Sequence, residues 1–248
     1  MWTIGGRAHT LDELRTVAAL GYPFAEVSLS DPGKVESLLG DFRRIRREWG
    51  IEYLAHYPNE DDPNDPSILK SLFLPRMEKL LALSGRLGIR KGTFHFWMDR
   101  RWIAPGTAEK KSRLLSKMVA LAEEHGVTLC IENLSERHDS FLPLFEAIPD
   151  LRMTLDIGHG ELLSRENTSY GFIEHCFDRI AHIHVHDNRG GTSVRDDLHL
   201  PLGQGIVDYR RILGLLKEKS YRSTITMEVK PGDMPATLAR ILEEQGTP

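Results

Sequence analysis

Residues 180–188 read IAHIHVHDN, with imidazoles on alternate positions at His182, His184 and His186. A period of two is that of a β-strand, whose successive side chains point to opposite faces, so the three histidines share one face. The run is a metal-binding strand, a stack of interior histidines or an accident of composition. What the rest of the chain brings to the same place decides among these.

Moving outward, seven further short apolar runs read as strands: WTIG (2–5), FAEVSL (24–29), EYLAH (52–56), GTFHFW (92–97), VTLCIE (127–132), RMTLD (152–156) and TITMEV (224–229). Longer amphipathic stretches lie between them, such as VESLLGDFRRIRREWG and EKKSRLLSKMVALAEEHG. In the latter, Leu114, Leu115, Met118 and Leu121 recur at helical spacing. Gly21, Gly50, Gly88 and Gly126 stand where helices are expected to stop before a new strand. No Gly/Ser/Pro-rich linker divides the 248 residues. Eight β units alternating with eight α units predict an α/β fold, a single (β/α)8 TIM barrel over residues 1–248. The rival, a doubly wound open sheet, usually brings a Gly-rich phosphate turn after its first strand, and IGGRAHT is not one.

A net charge of −4 gives no global attraction to nucleic acid or anionic membrane. No apolar run reaches the 18 residues of a membrane span. The start, MWTIGGRAHTLDEL, lacks a basic segment followed by a long apolar one, so no signal peptide is expected. Cys130 and Cys176 are isolated and read as reduced thiols, which suits a cytoplasmic protein.

In a barrel of this kind chemistry sits at the C-terminal ends of the strands. The third strand ends at His56 and the fourth carries His95. The fifth ends at Glu132, and the sixth at Asp156, with His159 just beyond in LDIGH. The seventh carries His184, followed by Asp197 and His199 in DDLHL, and the eighth brings Glu228. Any one of these has a structural explanation as a hydrogen-bonded or ion-paired group. Together, unpaired charges converging on one mouth would repel and suffer desolvation, a problem that divalent cations remove. Imidazoles and carboxylates without thiolates suit Zn²⁺, Mn²⁺, Fe²⁺ or Co²⁺ better than Ca²⁺ or Mg²⁺. Nine ligands exceed what one zinc takes, and with a bridging carboxylate they could serve two or three ions; one to three are expected, according to how many of the nine act as ligands. Of the three histidines in IAHIHVHDN, His184 lies at the depth of the ligand layer. His182 lies a layer lower, as an interior residue, and His186 at the strand's end either touches substrate or faces solvent.

The segments IEN, LDIGH, HVHDN running on to DDLHLPLGQG, and MEV resemble, in this order, the xylose isomerase-like TIM barrel superfamily. That superfamily includes endonuclease IV (AP endonuclease family 2) and many sugar phosphate isomerases and epimerases. The resemblance spans about residues 24–230. By likeness to endonuclease IV, all nine residues would hold three zinc ions. Glu132 would bridge two metals; Asp156, His184 and Glu228 would hold one ion with it, His56 and His95 a second, and His159, Asp197 and His199 a third. By likeness to the epimerases, Glu132, Asp156, His184 and Glu228 would hold a single ion, His159 would touch substrate, and the two glutamates would move protons.

Two functions follow. The favoured expectation is a divalent-metal-dependent sugar or sugar-phosphate isomerase/epimerase, with Glu132 and Glu228 as the proton-transfer pair. Arg189 and Lys230, just past strand ends, are candidates to hold a phosphate or end hydroxyl, or are solvated surface charges. The alternative is a zinc phosphodiesterase acting on nucleic acid, which the intact DDLH pair and His56/His95 favour. Against it, the loop YPNEDDPNDP places Glu60, Asp61, Asp62 and Asp65 beside the expected site, where they would repel a DNA backbone. Arg100 and Arg101 with Trp97 and Trp102 form a basic-aromatic cluster that stacks a base or a sugar, or merely packs.

Overall fold

The computed structural model describes residues 1–246. Among them run eight parallel strands: β1 (Thr3–Ala8), β2 (Phe24–Ser28), β3 (Glu52–His56), β4 (Lys91–His95), β5 (Thr128–Glu132), β6 (Arg152–Asp156), β7 (Ile180–Val185) and β8 (Thr224–Met227). Each pairs with the next, and β8 pairs back onto β1, so the sheet closes into a barrel and has no open edge. The doubly wound alternative is thereby excluded. One main helix follows each strand: α1 (Leu11–Ala19), α2 (Pro32–Trp49), α3 (Leu74–Arg86), α4 (Pro105–Glu124), α5 (His138–Ala147), α6 (Ser169–His175), α7 (Tyr209–Glu218) and α8 (Met234–Gln245). A short turn at Pro66–Ile68 and a π-helical segment at Leu69–Phe73 lead into α3. No helix among the described residues is long and apolar enough to cross a membrane. Cys130 and Cys176 are both buried free thiols.

The helices lie outside the barrel and bury one stripe each, as Leu114, Leu115, Met118, Val119 and Ala122 do on α4. Gly50, which closes α2, takes a left-handed φ of 68° that a side chain would make costly. The strand Lys91–His95 crosses close to Tyr57, and a Cβ on Gly92 would collide with that ring. The ring cannot swing away freely, because its hydroxyl is bonded to Ser84 of α3 at 2.8 Å. Gly92→Ala is therefore expected to cost about 1–3 kcal/mol as an overpacking change. A thermal melt unchanged from wild type would show that Tyr57 moves at no cost.

The inside of the barrel is polar to an unusual degree. Glu26, Thr93, Thr154, His182 and Thr226 are all buried. Thr93 on β4 meets Thr154 on β6 at 2.8 Å, and Glu26 on β2 meets His182 on β7 at 2.9 Å. Strands this far apart in the barrel can touch only across its interior. Such interiors are ordinarily filled by branched apolar residues. Here each polar atom must find a partner, and the partners it finds fix the side chains above it.

Candidate functional site

Strand register brings the rim residues level. His95 on β4 stands opposite Glu132 on β5, and Asp156 on β6 opposite His184 on β7. Glu228 follows β8, its amide held by the Val185 carbonyl. His159 sits in a 3-10 turn after β6, with its amide donating to Asp156 Oδ1 at 2.7 Å. Asp197 and His199 come from the long β7–α7 connection, and His199 takes a left-handed φ of 46°. Non-glycine residues rarely adopt that region, and they do so most often at functional sites.

All nine sequence-derived candidates meet in one cluster at the C-terminal mouth. His56 Nε2 and His95 Nε2 lie 3.3 and 2.8 Å from the same oxygen, Glu132 Oε2. His184 Nδ1 lies 2.9 Å from Glu132 Oε1, 3.2 Å from Glu228 Oε2 and 3.7 Å from Asp156 Oδ2. His159 Nε2 and His199 Nε2 lie 3.2 and 2.9 Å from Asp197 Oδ2. Five sets among the described residues have ligand atoms all within 4.8 Å of one another, and three of them cover the mouth: Glu132, Asp156, His184 and Glu228; His56, His95 and Glu132; and His159, His186, Asp197 and His199. Glu132 belongs to the first two, and the set of His56, His184 and Glu228 links them as well.

Two observations test whether these residues fit a divalent cation. First, His95 Nε2, Glu132 Oε2 and Glu228 Oε2 are buried and make no well-directed hydrogen bond among the described residues, although the first two stand 2.8 Å apart. Buried polar atoms are nearly always satisfied, so atoms crowded this closely yet unpaired are short of a common partner. Second, of the five carboxylates in these groups, Glu26, Glu132, Asp156, Asp197 and Glu228, only Glu228 is paired with an arginine or lysine among the described residues, its Oε1 lying 3.2 Å from Arg7 Nε. The oxygen and imidazole donor set matches Zn²⁺ and its first-row neighbours. The residues fit the group.

The titration behaviour agrees with that charge surplus. Burial would raise the Glu132 carboxyl, but His184 and His95 hold it well below the usual range. Glu228 is likewise held low, against burial, chiefly by His184. Burial pulls His184 down, yet Glu26, Glu132 and Glu228 together push it well up. His199 rises to about 9 as Asp197 outweighs burial. His56 goes the other way, lowered by burial and then by Arg7. Imidazole protons and divalent cations neutralise the same carboxylates, so ion binding here releases protons.

His186 is fully buried, stacked on His199 with ring centroids 4.1 Å apart, and its Nε2 lies 3.0 Å from Asp156 Oδ1. It does not face solvent. A Cβ on Gly158 would collide with this ring, which accounts for the glycine in LDIGH. Trp97 is half-buried and lines a cleft of about 350 Å³ that also reaches His95, His159 and Asp197. Arg189 and Lys230 are exposed, and among the described residues their side chains make no hydrogen bond or ion pair to the cluster.

The 57–66 loop differs from its sequence reading. Its charges already have partners, two of them on neighbouring helices: Glu60 pairs with buried Lys111 of α4 at 2.8 Å and Asp61 with Arg76 of α3 at 2.8 Å. Asp65 caps the turn at Ser67, and Asp62 accepts from the Asn64 amide. The loop also reaches into the site, where Asn59 Oδ1 lies 2.7 Å from His95 Nδ1. Arg101 is no free basic group either, since it pairs with Asp99 and donates to the carbonyls of Ser135 and Leu163.

Two members of the site were missed from sequence: Arg7 on β1 and Glu26 on β2. β1 extends to Ala8 rather than ending at residue 5, because Gly5 and Gly6 disguise its pattern. Gly5 is required by contact, since a Cβ there would meet the Phe24 carbonyl, while at Gly6 it would meet only the flexible end of Met234. Glu26 did leave a signal, a lone carboxylate inside the apolar run FAEVSL.

The chain belongs to the xylose isomerase-like TIM barrel family, whose sequence profile matches residues 14–245. Among curated relatives, the uncharacterized protein MJ1311 of Methanocaldococcus jannaschii is 30% identical over 125 residues, 47% of this chain and 41% of that one. The aligned region thus spans less than half the length of that relative. A xylose isomerase domain protein from Planctomyces limnophilus has the same fold, with a TM-score of 0.81 at 18% identity over 98% of this chain and 97% of that one. A D-tagatose 3-epimerase-like protein gives 0.77 at 21% identity over 97% of both chains. The TTHB071 protein from Thermus thermophilus, in crystals soaked with ZnCl2, gives 0.76 at 26% identity over 99% of this chain and 100% of that one.

Proposed function

We propose that this protein is a divalent-metal-dependent isomerase or epimerase of a small sugar or sugar phosphate. The observation that carries the reading is the pair Glu132 and Glu228. Both are buried and both approach the same His184 nitrogen, Glu132 through Oε1 at 2.9 Å and Glu228 through Oε2 at 3.2 Å. Two carboxylates so placed can remove a proton from a carbon beside a carbonyl and return it from the other side. Glu132, Asp156, His184 and Glu228 would hold a divalent ion, which would supply polarisation of the substrate's carbonyl and hydroxyl oxygens. Arg7 holds Glu228 Oε1, which leaves Oε2 turned toward the site. His159, which lines the cleft, would hold a hydroxyl and Trp97 beside it would offer a ring face to the sugar, while His186, fully buried with Nε2 on Asp156, would act through that ligand. Arg189 and Lys230 stand at the rim for a terminal phosphate. The sugar epimerase fold among the structural neighbours supports this reading.

The test is solvent isotope exchange. Metal-loaded protein incubated in D₂O with a panel of ketoses and ketose phosphates should place deuterium at the carbon next to the carbonyl in at least one. Absence of exchange across the panel contradicts the reading. A second reading, a zinc phosphodiesterase, is favoured by the two further ligand sets, His56/His95/Glu132 and His159/Asp197/His199. Pairing of the loop acids Glu60 and Asp61 with Lys111 and Arg76 removes an objection to it. Chelator-sensitive nicking of an abasic duplex, with no isotope exchange, would decide for it.

A further inference from the structure

Below the ligand layer a hydrogen-bonded column runs through the barrel interior. Lys91, at the start of β4, donates to Ala181 O, Ser223 Oγ and Thr224 Oγ1 at 2.6, 3.0 and 2.8 Å. Thr224 Oγ1 lies 2.6 Å from His182 Nδ1, and His182 Nε2 lies 2.9 Å from Glu26 Oε2. Thr226 donates its hydroxyl to the same Glu26 oxygen at 2.6 Å. His184 Nε2 completes the set, 2.9 Å from Glu26 Oε2.

Donor and acceptor roles along the column follow from its ends. The Lys91 ammonium can only donate, so Thr224 Oγ1 accepts from it and gives its own proton to His182 Nδ1. That leaves the proton of neutral His182 on Nε2, where it goes to Glu26. Glu26, an ionised carboxylate, can only accept. His184 must therefore donate from Nε2, which leaves Nδ1 as the nitrogen facing Glu132, Asp156 and Glu228.

Glu26, His182 and His184 also stand close enough together to hold a cation themselves. The satisfaction of their atoms argues otherwise. Among the described residues, none of the buried polar atoms without a partner belongs to Glu26, His182 or Thr226, whereas the site above contains four, His95 Nε2, Glu132 Oε2, His186 Nδ1 and Glu228 Oε2. The lower layer is a completed hydrogen-bond network, and the upper layer is an uncompleted one.

We propose that Glu26 is the positioning residue for His184, and that the Lys91–Thr224–His182 column holds Glu26 in place from the barrel floor. The proposal rests on the reading of the mouth as a metal centre. It assigns to residues on β2, β4, β7 and β8 the orientation and basicity of one ligand. Partners of this kind typically change metal affinity by about 10–100-fold when removed.

The experiment is zinc affinity by chelator competition on the full chain, paired with the imidazole N–H spectrum of His184. Glu26→Gln, nearly isosteric, should weaken zinc binding by about 10–100-fold. It should also remove the downfield, slowly exchanging Nε2–H resonance of His184. Thr226→Val, which deletes one donor to Glu26 and changes little volume, should weaken binding by a smaller factor and shift that resonance. It serves as the reading if Glu26→Gln does not fold. A folded Glu26→Gln protein with zinc affinity within about twofold of wild type and an unmoved His184 resonance overturns the proposal. Wild-type protein that shows the resonance but binds no zinc overturns the metal reading and leaves the Glu26–His184 contact standing.

Discussion

Glu132→Gln is expected to lower turnover by about 10³-fold, the scale of a lost proton-transfer residue, with the fold intact. Gln keeps the shape of the side chain but cannot take a proton. It also withdraws charge from the two ligand sets that share this residue. The fold should survive because removing one carboxylate relieves a crowd of like charges, and the barrel strands do not depend on it. Kinetics on metal-saturated variant and far-UV circular dichroism check both halves. A folded variant with wild-type activity would remove Glu132 from the proton-transfer role.

Lys111→Met is expected to destabilise the protein by about 3–5 kcal/mol. Lys111 is fully buried on α4, and its ammonium donates to Glu60 Oε2, the Pro63 carbonyl and the Trp97 carbonyl. Without it Glu60 keeps only the Trp97 amide as partner, at 2.6 Å, and a buried carboxylate is left uncompensated. In a chain of this length the loss corresponds to a fall in Tm of roughly 10 °C. Adding Glu60→Gln should recover part of it, since a neutral amide needs no ammonium. The sign of the pH dependence is fixed as well. Burial raises Glu60 despite Lys111, and losing Lys111 raises it further. The folded variant then binds a proton more readily than the unfolded chain, so its deficit should shrink as pH falls toward the carboxylate range. A deficit that grows on acidification would show that Glu60 is not the group left exposed to the loss.

The parts of this molecule that were legible in the sequence share a physical cause. Strands β3, β6 and β7 run as read, because a strand buried on both faces is a dense apolar run with sharp ends. The ligand cluster could be read because chemistry at a barrel mouth must come from strand ends, and the strand ends carried His56, His95, Glu132, Asp156 and His184. What escaped detection depends on three-dimensional closure. Arg7 meets Glu228 only because β1 closes against β8. Glu26 meets His182 and His184 only across the barrel interior. The loop acids Glu60 and Asp61 looked like a repelling surface, since their partners Lys111 and Arg76 lie 51 and 15 residues away. His186 looked terminal, yet the β7–α7 connection folds His199 back over it.

The claim beneath all of this is that distant acidic and imidazole groups surround bound cations in the barrel mouth. Anomalous X-ray scattering across the zinc edge, on crystals of the zinc-loaded chain, addresses it most directly. The account predicts a peak bounded by Glu132, Asp156, His184 and Glu228, one ion for the isomerase and two or three for the phosphodiesterase. Zinc in excess with no peak inside that mouth, whatever binds elsewhere on the surface, would contradict it.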